Sequence, residues 1–315
     1  MGLVSLERAD RRALASLPDT QADGAVYPSR FIPSTFGPMT PRSQGLLAGF
    51  VAVFVALTPS PAASQSRPRT VVALLAHADD ETAASPVLAR YAREGVQVHL
   101  IIASDGSGGS GSQTYLARPD SGPVGDALAK VRADEARCAA AAIGALEPTF
   151  LGFPDGKLGD YLADRGLLTR LTDRIAKEIE RLHPDVVITW GADGGTGHPD
   201  HRIVSGIATQ LQRFGAPGMP DRLFYMYLPA EMFRLANPQR GEPPLLMPQA
   251  KYFTVRVPFT PADLDAAMKA MACHKSQFTS ETMQRLLPER NRVWNGTVGF
   301  IPATSTSSSD DLFRR

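Results

Sequence analysis

The hydrophobic pattern of the chain changes character at Thr70. Val71–Ala76 is an unbroken apolar run, of the length and kind that a strand buried on both faces of a parallel sheet requires. Glu81–Arg93 then reads as a helix stopped by Gly95, and Val96–Ala103 as a second strand rich in β-branched residues. Ser104–Pro123 is dominated by glycine and serine and reads as a loop, with Ser107–Ser112 its most flexible part. Val124–Ile143 is an alanine-rich helix and Thr149–Phe153 a strand. Leu167–Leu182 places Leu168, Leu171, Ile175 and Ile179 on one helical face before Pro184 breaks the pattern. Asp185–Trp190 follows as a buried strand, His201–Phe214 as a helix, Arg222–Tyr227 and Tyr252–Val257 as strands, and Pro261–Phe278 as a helix opened by proline. Strands alternating with helices in this way predict an α/β fold over residues 69–303, a Rossmann-like three-layer sandwich with a largely parallel sheet. The Ser/Thr/Asp-rich tail, 304–315, is expected to be disordered.

Residues 1–38 carry no sustained period and read as disordered. Arg42, the apolar run Leu46–Leu57 and the small residues around Ala62, Ala63 and Ser64 match the three parts of a secretory signal peptide. The run is well short of the ~20 residues a membrane span needs, so a cleaved signal over 39–64 is expected rather than a stable membrane anchor. With no cysteine after the run, a lipoprotein anchor is excluded. A signal beginning there places the expected start at Met39, with residues 1–38 outside the mature protein, the alternative being a long, unusual leader; the protein is expected to be secreted or periplasmic.

Composition narrows the function only by exclusion. With 33 basic and 32 acidic residues the net charge is +1, and no basic stripe with interleaved aromatics marks a nucleic-acid partner. The two cysteines, Cys138 and Cys273, fall far apart inside predicted helices and supply neither a disulfide framework nor a cysteine metal site. They could form one bridge in an oxidising compartment, but buried thiols are the expected state.

The chemistry lies in two short segments, each following a predicted strand: Ala76–Glu81, with His77, Asp79 and Asp80, and Gly197–His201, with His198, Asp200 and His201. Ligands of open α/β sheets bind beyond the carboxyl ends of the strands, where both segments fall. Imidazole and carboxylate are the ligand set of a catalytic zinc that keeps one position for water. Either segment alone could be a polar turn opening a helix, since acidic residues favour a first turn. Two such segments at strand ends, with adjacent carboxylates, argue for a site instead. The glycine-rich Gly191–Gly197 adds backbone able to approach a ligand. His99, inside a strand, and His183, at a helix end, read as structural. A dinucleotide site is excluded, because carboxylates stand where a pyrophosphate needs backbone N–H groups.

At these residues the chain resembles the PIG-L, or LmbE-like, family of zinc-dependent N-acetylglucosaminyl deacetylases. The resemblance runs from about Arg69 to Phe278. It includes Arg132 and Glu135 opening the alanine-rich helix, the Leu151–Gly156 segment, and His274–Gln277. It implies that His77, Asp80 and His201 bind Zn2+, that Asp79 is the general base, that His198 stabilises the oxyanion with Asp200 holding its imidazole, and that Arg132 contacts substrate. Ala78 stands where the family has proline, and Thr196 where mycothiol-type members place a tyrosine near the reacting carbonyl. The second departure counts against a mycothiol-type substrate. The implied activity is removal of acetyl from N-acetylglucosamine-like sugars or glycoconjugates by metal-activated water. A conjugate amidase cleaving a larger amide and a catalytically silent carbohydrate-binding relative are the alternatives.

Overall fold

A computed structural model of the chain describes residues 67–109, 122–227, 248–278, 280–304 and 308–314. The signal-peptide segment, the residues before it and most of the glycine-serine loop lie outside these. The strands are β1 (Thr70–Leu75), β2 (Gln97–Ser104), β3 (Thr149–Phe153), β4 (Val186–Trp190), β5 (Leu223–Met226), β6 (Val255–Pro258) and β7 (Thr297–Pro302). The helices are α1 (Ser85–Arg93), α2 (Gly125–Ile143), α3 (Arg165–Leu182), α4 (Pro199–Arg213), α5 (Pro261–Cys273) and α6 (Ser280–Trp294).

The strands form one sheet in the order β3-β2-β1-β4-β5-β7-β6. Strands β1 to β5 pair in parallel and β7 runs antiparallel to both neighbours, so the largely parallel expectation holds. Alternate residues of β1 supply two cores. Val71, Ala73 and Leu75 face α1, α2, α5 and α6 through Val87, Leu88, Tyr91, Ala139, Ala270 and Trp294. Val72 and Leu74 face α3 and α4 through Leu171, Ile175, Val204 and Ile207. A strand covered on both faces has no polar side to show, which is why its sequence is an uninterrupted apolar run.

Strand order reverses between β1 and β4, because the chain steps outward to β2 and β3 and returns through α3 to the other side. The carboxyl ends of β1 and β4 therefore border the crevice where doubly wound sheets bind ligands.

Several expectations are corrected. The expected helix from Glu81 begins as a 3-10 turn, Asp80–Ala83, before α1 starts at Ser85. Helix α6 and strand β7 had no counterpart in the sequence reading. Pro288 inside α6 obscures its period, and β7 reveals itself only as the partner that closes the sheet between β5 and β6. Cys138 and Cys273 are joined in a disulfide rather than held as thiols. Helices α2 and α5 pack on the same face of the sheet and bring the two Cα atoms to 5.8 Å, within bridging range, across a sequence separation of 135. The tail is also packed where it is described: Ser309 bridges to Val255, Leu312 is fully buried, and Phe313 meets the Tyr91 ring edge-on. Leu312 and Phe313, together with the Tyr91 hydroxyl, which donates to Asp311 and accepts from the Leu312 N–H, anchor a segment whose composition is otherwise polar.

Candidate metal centre

β1 ends where its last backbone N–H groups need acceptors, and the Asp80 carboxylate supplies one: its Oδ2 accepts from the N–H of Ala76 and His77, both at 2.9 Å. This folds the chain back and turns Oδ1 towards His201 and His77. Across the crevice, the glycine-rich loop after β4 sets the other half of the site. A Cβ at Gly195, where φ is +63°, would strike the Trp190 indole. Trp190 stacks against His201 with the ring planes 7° apart.

His77 Nδ1 lies 2.9 Å from His201 Nε2, His201 Nε2 lies 3.0 Å from Asp80 Oδ1, and the third side of the triangle is 3.8 Å. The outer nitrogens fix the tautomers. His77 Nε2 faces carboxylate oxygens of Asp155 at 3.1 Å and Asp200 at 3.4 Å, so it carries a proton. His201 Nδ1 lies 2.9 Å from the Gly194 carbonyl and 3.1 Å from Thr196 Oγ1, and the carbonyl accepts its proton. Both inner nitrogens are thereby left with lone pairs that point at each other beside a carboxylate, an arrangement that calls for a cation between them. Donors in a tetrahedral site with bonds of ~2.0–2.1 Å stand about 3.3 Å apart, and the three separations bracket that value. The outer carboxylates and carbonyl are the supports that orient metal-bound imidazoles.

The electrostatics agree. Burial opposes charge on His77, but Asp155, Asp200 and Asp80 outweigh it and hold its pKa well above the ordinary range. Burial likewise opposes ionisation of Asp80, yet His201 and His77 hold it well below the usual carboxylate range. Asp155 is held at about 2, with burial opposing and His77 and Arg132 prevailing.

The remaining expected residues are gathered here too, though two take different partners. Asp79 is partly exposed at the edge of the site, and Arg132 Nη2 donates to its Oδ1 at 3.0 Å. Arg132 is buried, and its Nη1 donates to Asp155 Oδ2 at 2.8 Å, so its terminal nitrogens hold two carboxylates. His198 brings a ring nitrogen within 4.8 Å of those of His77 and His201.

The expected grip of Asp200 on the His198 imidazole is not made. The fully buried Asp200 carboxylate accepts from the N–H of Gly156 at 2.8 Å and of Leu158 at 3.0 Å, and approaches His77. It is the Asp200 backbone N–H that donates to His198 Nδ1, at 3.1 Å. Position N2 of α4 turns the carboxylate inward, away from the N-cap imidazole. That bond puts the His198 proton on Nε2. Burial, then His77 and His201, lower the pKa of His198 to about 4, so the imidazole is held neutral.

Three participants were missed. Asp155 follows β3 at the same rim, and a carboxylate just beyond a strand end was the available signal. Glu81 accepts from His274 at 2.7 Å with both side chains fully buried, tying the 3-10 turn to the segment after α5. Arg290, on α6, had no sequence signal. His99 stays within β2, and His183 caps α3 with a left-handed backbone (φ 43°), consistent with structural roles.

A family model described as PIG-L, GlcNAc-PI de-N-acetylase, matches residues 72–212. The chain is 30% identical over 249 residues to a 1D-myo-inositol 2-acetamido-2-deoxy-alpha-D-glucopyranoside deacetylase of Rhodococcus jostii, covering 67% of this chain and 82% of that protein. It is 34% identical over 169 residues to a protein of the same description from Kineococcus radiotolerans, covering 46% of each, so the match spans about half of that relative's length. Among solved structures, the N,N'-diacetylchitobiose deacetylase from Pyrococcus horikoshii superposes with a TM-score of 0.51 at 19% identity, over 75% of this chain and 84% of that one, which establishes a common fold.

Proposed function

The chain belongs to the PIG-L family, and on that footing we propose that it is a zinc-dependent hydrolase that removes the acetyl group from N-acetylglucosamine-like sugars or glycoconjugates. The observation that carries this reading is the pair of inward lone pairs on His77 and His201, on nitrogens 2.9 Å apart and flanked by Asp80 Oδ1. Zinc held there would supply Lewis acidity, polarising the acetamide carbonyl and acidifying water.

The chain's own residues do the rest. Asp79 stands beside the ligands with one oxygen fixed by Arg132, leaving the other to take a proton from attacking water and return it to the departing amine. His198, neutral and protonated on Nε2, donates to the carbonyl oxygen as negative charge develops there. Asp155 and Asp200 keep the His77 proton on the outer nitrogen. The Thr196 hydroxyl is engaged with His201 and the Gly194 carbonyl.

The reading includes export, supported by the Cys138–Cys273 bond, which persists in oxidising compartments. No described helix is long and apolar enough to cross a membrane.

The test pairs metal analysis with acetate release. His77→Ala, Asp80→Ala and His201→Ala should lose zinc and activity together. Asp79→Asn should keep about one zinc per chain while kcat falls roughly 10²–10⁴-fold. Zinc loss in Asp79→Asn with retention in Asp80→Ala would reverse the two assignments. Unchanged turnover in zinc-loaded Asp79→Asn would reject the mechanism.

A further inference from the structure

Beneath the turn that carries Asp79 and Asp80 lies a guanidinium from a distant part of the chain. Arg290 is on α6, well outside the stretch matched by the family model, and only 4% of it is exposed. Its Nη1 donates to the Thr82 carbonyl at 2.8 Å, and its Nη2 lies 3.5 Å from Thr82 Oγ1. Thr82 in turn donates twice to the Asp79 carbonyl, from its hydroxyl at 2.8 Å and its N–H at 3.2 Å. A single side chain thus reaches the backbone of Asp79 through one intervening residue.

Burying a guanidinium is expensive, and an apolar side chain of similar volume would fill the same space at lower cost. What an apolar residue lacks is a donor for the Thr82 carbonyl at the end of a four-residue 3-10 turn, where carbonyls run out of intrahelical partners. The neighbouring Glu81 meets His274 through Oε1, and its negative charge, followed by that of Asp79, favours the buried Arg290 cation beside the turn. Arg132 steadies the Asp79 carboxylate from the α2 side, and Arg290 holds the backbone beneath it from the α6 side. Consecutive aspartates must face different ways for one to bind metal and the other to meet water. That division depends on the backbone of this turn.

We propose that Arg290 is a positioning residue for the reaction, fixing the Asp79–Asp80 backbone through Thr82 so that the two carboxylates keep their separate orientations. The proposal rests on the deacetylase reading, with Asp79 as base.

The experiment compares wild type, Arg290→Ala, Arg290→Lys and Thr82→Val as intact, disulfide-bonded, zinc-loaded proteins. Bound zinc, melting temperature, and kcat and KM for acetate release from N-acetyl-chitooligosaccharides are measured, together with the visible spectrum after cobalt replacement. Expected are near-stoichiometric metal in every variant and a kcat lower by roughly 10- to 100-fold in Arg290→Ala, the scale of a small misplacement. KM should stay near the wild-type value, and Thr82→Val should show a smaller loss of the same kind. Added guanidinium should restore part of kcat in Arg290→Ala and leave wild type unaffected.

A lower melting temperature with wild-type kcat in metal-loaded Arg290→Ala would overturn the proposal and leave Arg290 a purely structural residue. Should Arg290→Ala fail to fold, Thr82→Val decides: an unchanged kcat overturns it and a reduced one supports it. If wild type itself releases no acetate, the deacetylase reading falls separately. The cobalt spectrum then judges the positioning role, with a band shift reversed by guanidinium supporting it and unshifted bands overturning it.

Discussion

Arg132 donates to the Asp79 carboxylate at 3.0 Å, so the group assigned to take a proton is held by a buried cation instead of standing free. The same guanidinium reaches Asp155, which in turn meets the outer nitrogen, Nε2, of His77. The proposed base and the support of the proposed ligand His77 are therefore joined through one side chain.

Arg132→Met should consequently do two kinds of damage. Removing one partner of a buried pair leaves the Asp155 carboxylate, 5% exposed, without its guanidinium, which costs about 3–5 kcal/mol. Urea denaturation of the zinc-loaded protein should read that loss. Arg132→Lys keeps the charge but cannot span both carboxylates with one planar fork, so activity should fall even where stability partly recovers. Stability within about 1 kcal/mol of wild type in Arg132→Met would contradict the pairing.

Metal uptake should release protons. His77 is held well above its ordinary value in the metal-free protein, so near neutral pH it carries a proton that an incoming cation must displace. Apparent zinc affinity should rise with pH by about tenfold per unit for each proton displaced, flattening above the folded pKa of His77. Calorimetric titration with zinc in two buffers of different ionisation enthalpy measures the count. Without metal, a histidine raised above ~6.5 stabilises the fold below that pH and ceases to as pH rises through its folded value. The metal-free protein should therefore lose stability towards alkaline pH while the zinc form does not. Heats independent of buffer would refute the assignment of that proton.

The Cys138–Cys273 bond closes a loop of 135 residues and ties α2, which carries Arg132 and Glu135, to the end of α5 just before His274. Ser276 donates to Glu135 at 2.6 and 2.7 Å next to that junction. A loop of this length corresponds to about 4–5 kcal/mol in the chain-entropy picture. Cys138→Ser/Cys273→Ser should unfold at correspondingly lower urea concentration while keeping its zinc. An unchanged denaturation midpoint would mean that packing between α2 and α5 already supplies the constraint.

What was legible in the sequence follows from which residues carry local information. Buried parallel strands announce themselves as apolar runs, and His77, Asp80, His198 and His201 stand at strand ends where sheet geometry places ligands. The disulfide was hidden because 135 residues separate its halves and only the shared sheet face brings α2 and α5 together. Arg290 was hidden for a related reason: its acceptor is a backbone carbonyl, and a carbonyl leaves no trace in residue identity. The direction of the Asp200 side chain likewise depends on where the Asp155 loop passes, which is a tertiary fact.

Asp200 offers the sharpest contrast between pattern and geometry. If it held the His198 imidazole, Asp200→Asn would mimic His198→Ala: metal retained, turnover reduced. The structure turns the carboxylate instead onto the N–H groups of Gly156 and Leu158 and towards His77 Nε2. Asn keeps one acceptor oxygen but presents an NH2 where a second acceptor is needed, so one N–H in the Asp155 loop loses its partner and His77 loses a negative neighbour. A lost partner of a ligand imidazole typically weakens metal affinity by about 10–100-fold. Asp200→Asn should therefore bind zinc more weakly in competition with a chelator. His198→Ala should hold zinc as wild type does and lose roughly 10²–10³ in kcat, the scale of an oxyanion donor. Equal zinc affinity in Asp200→Asn and wild type would return Asp200 to the role of a His198 partner.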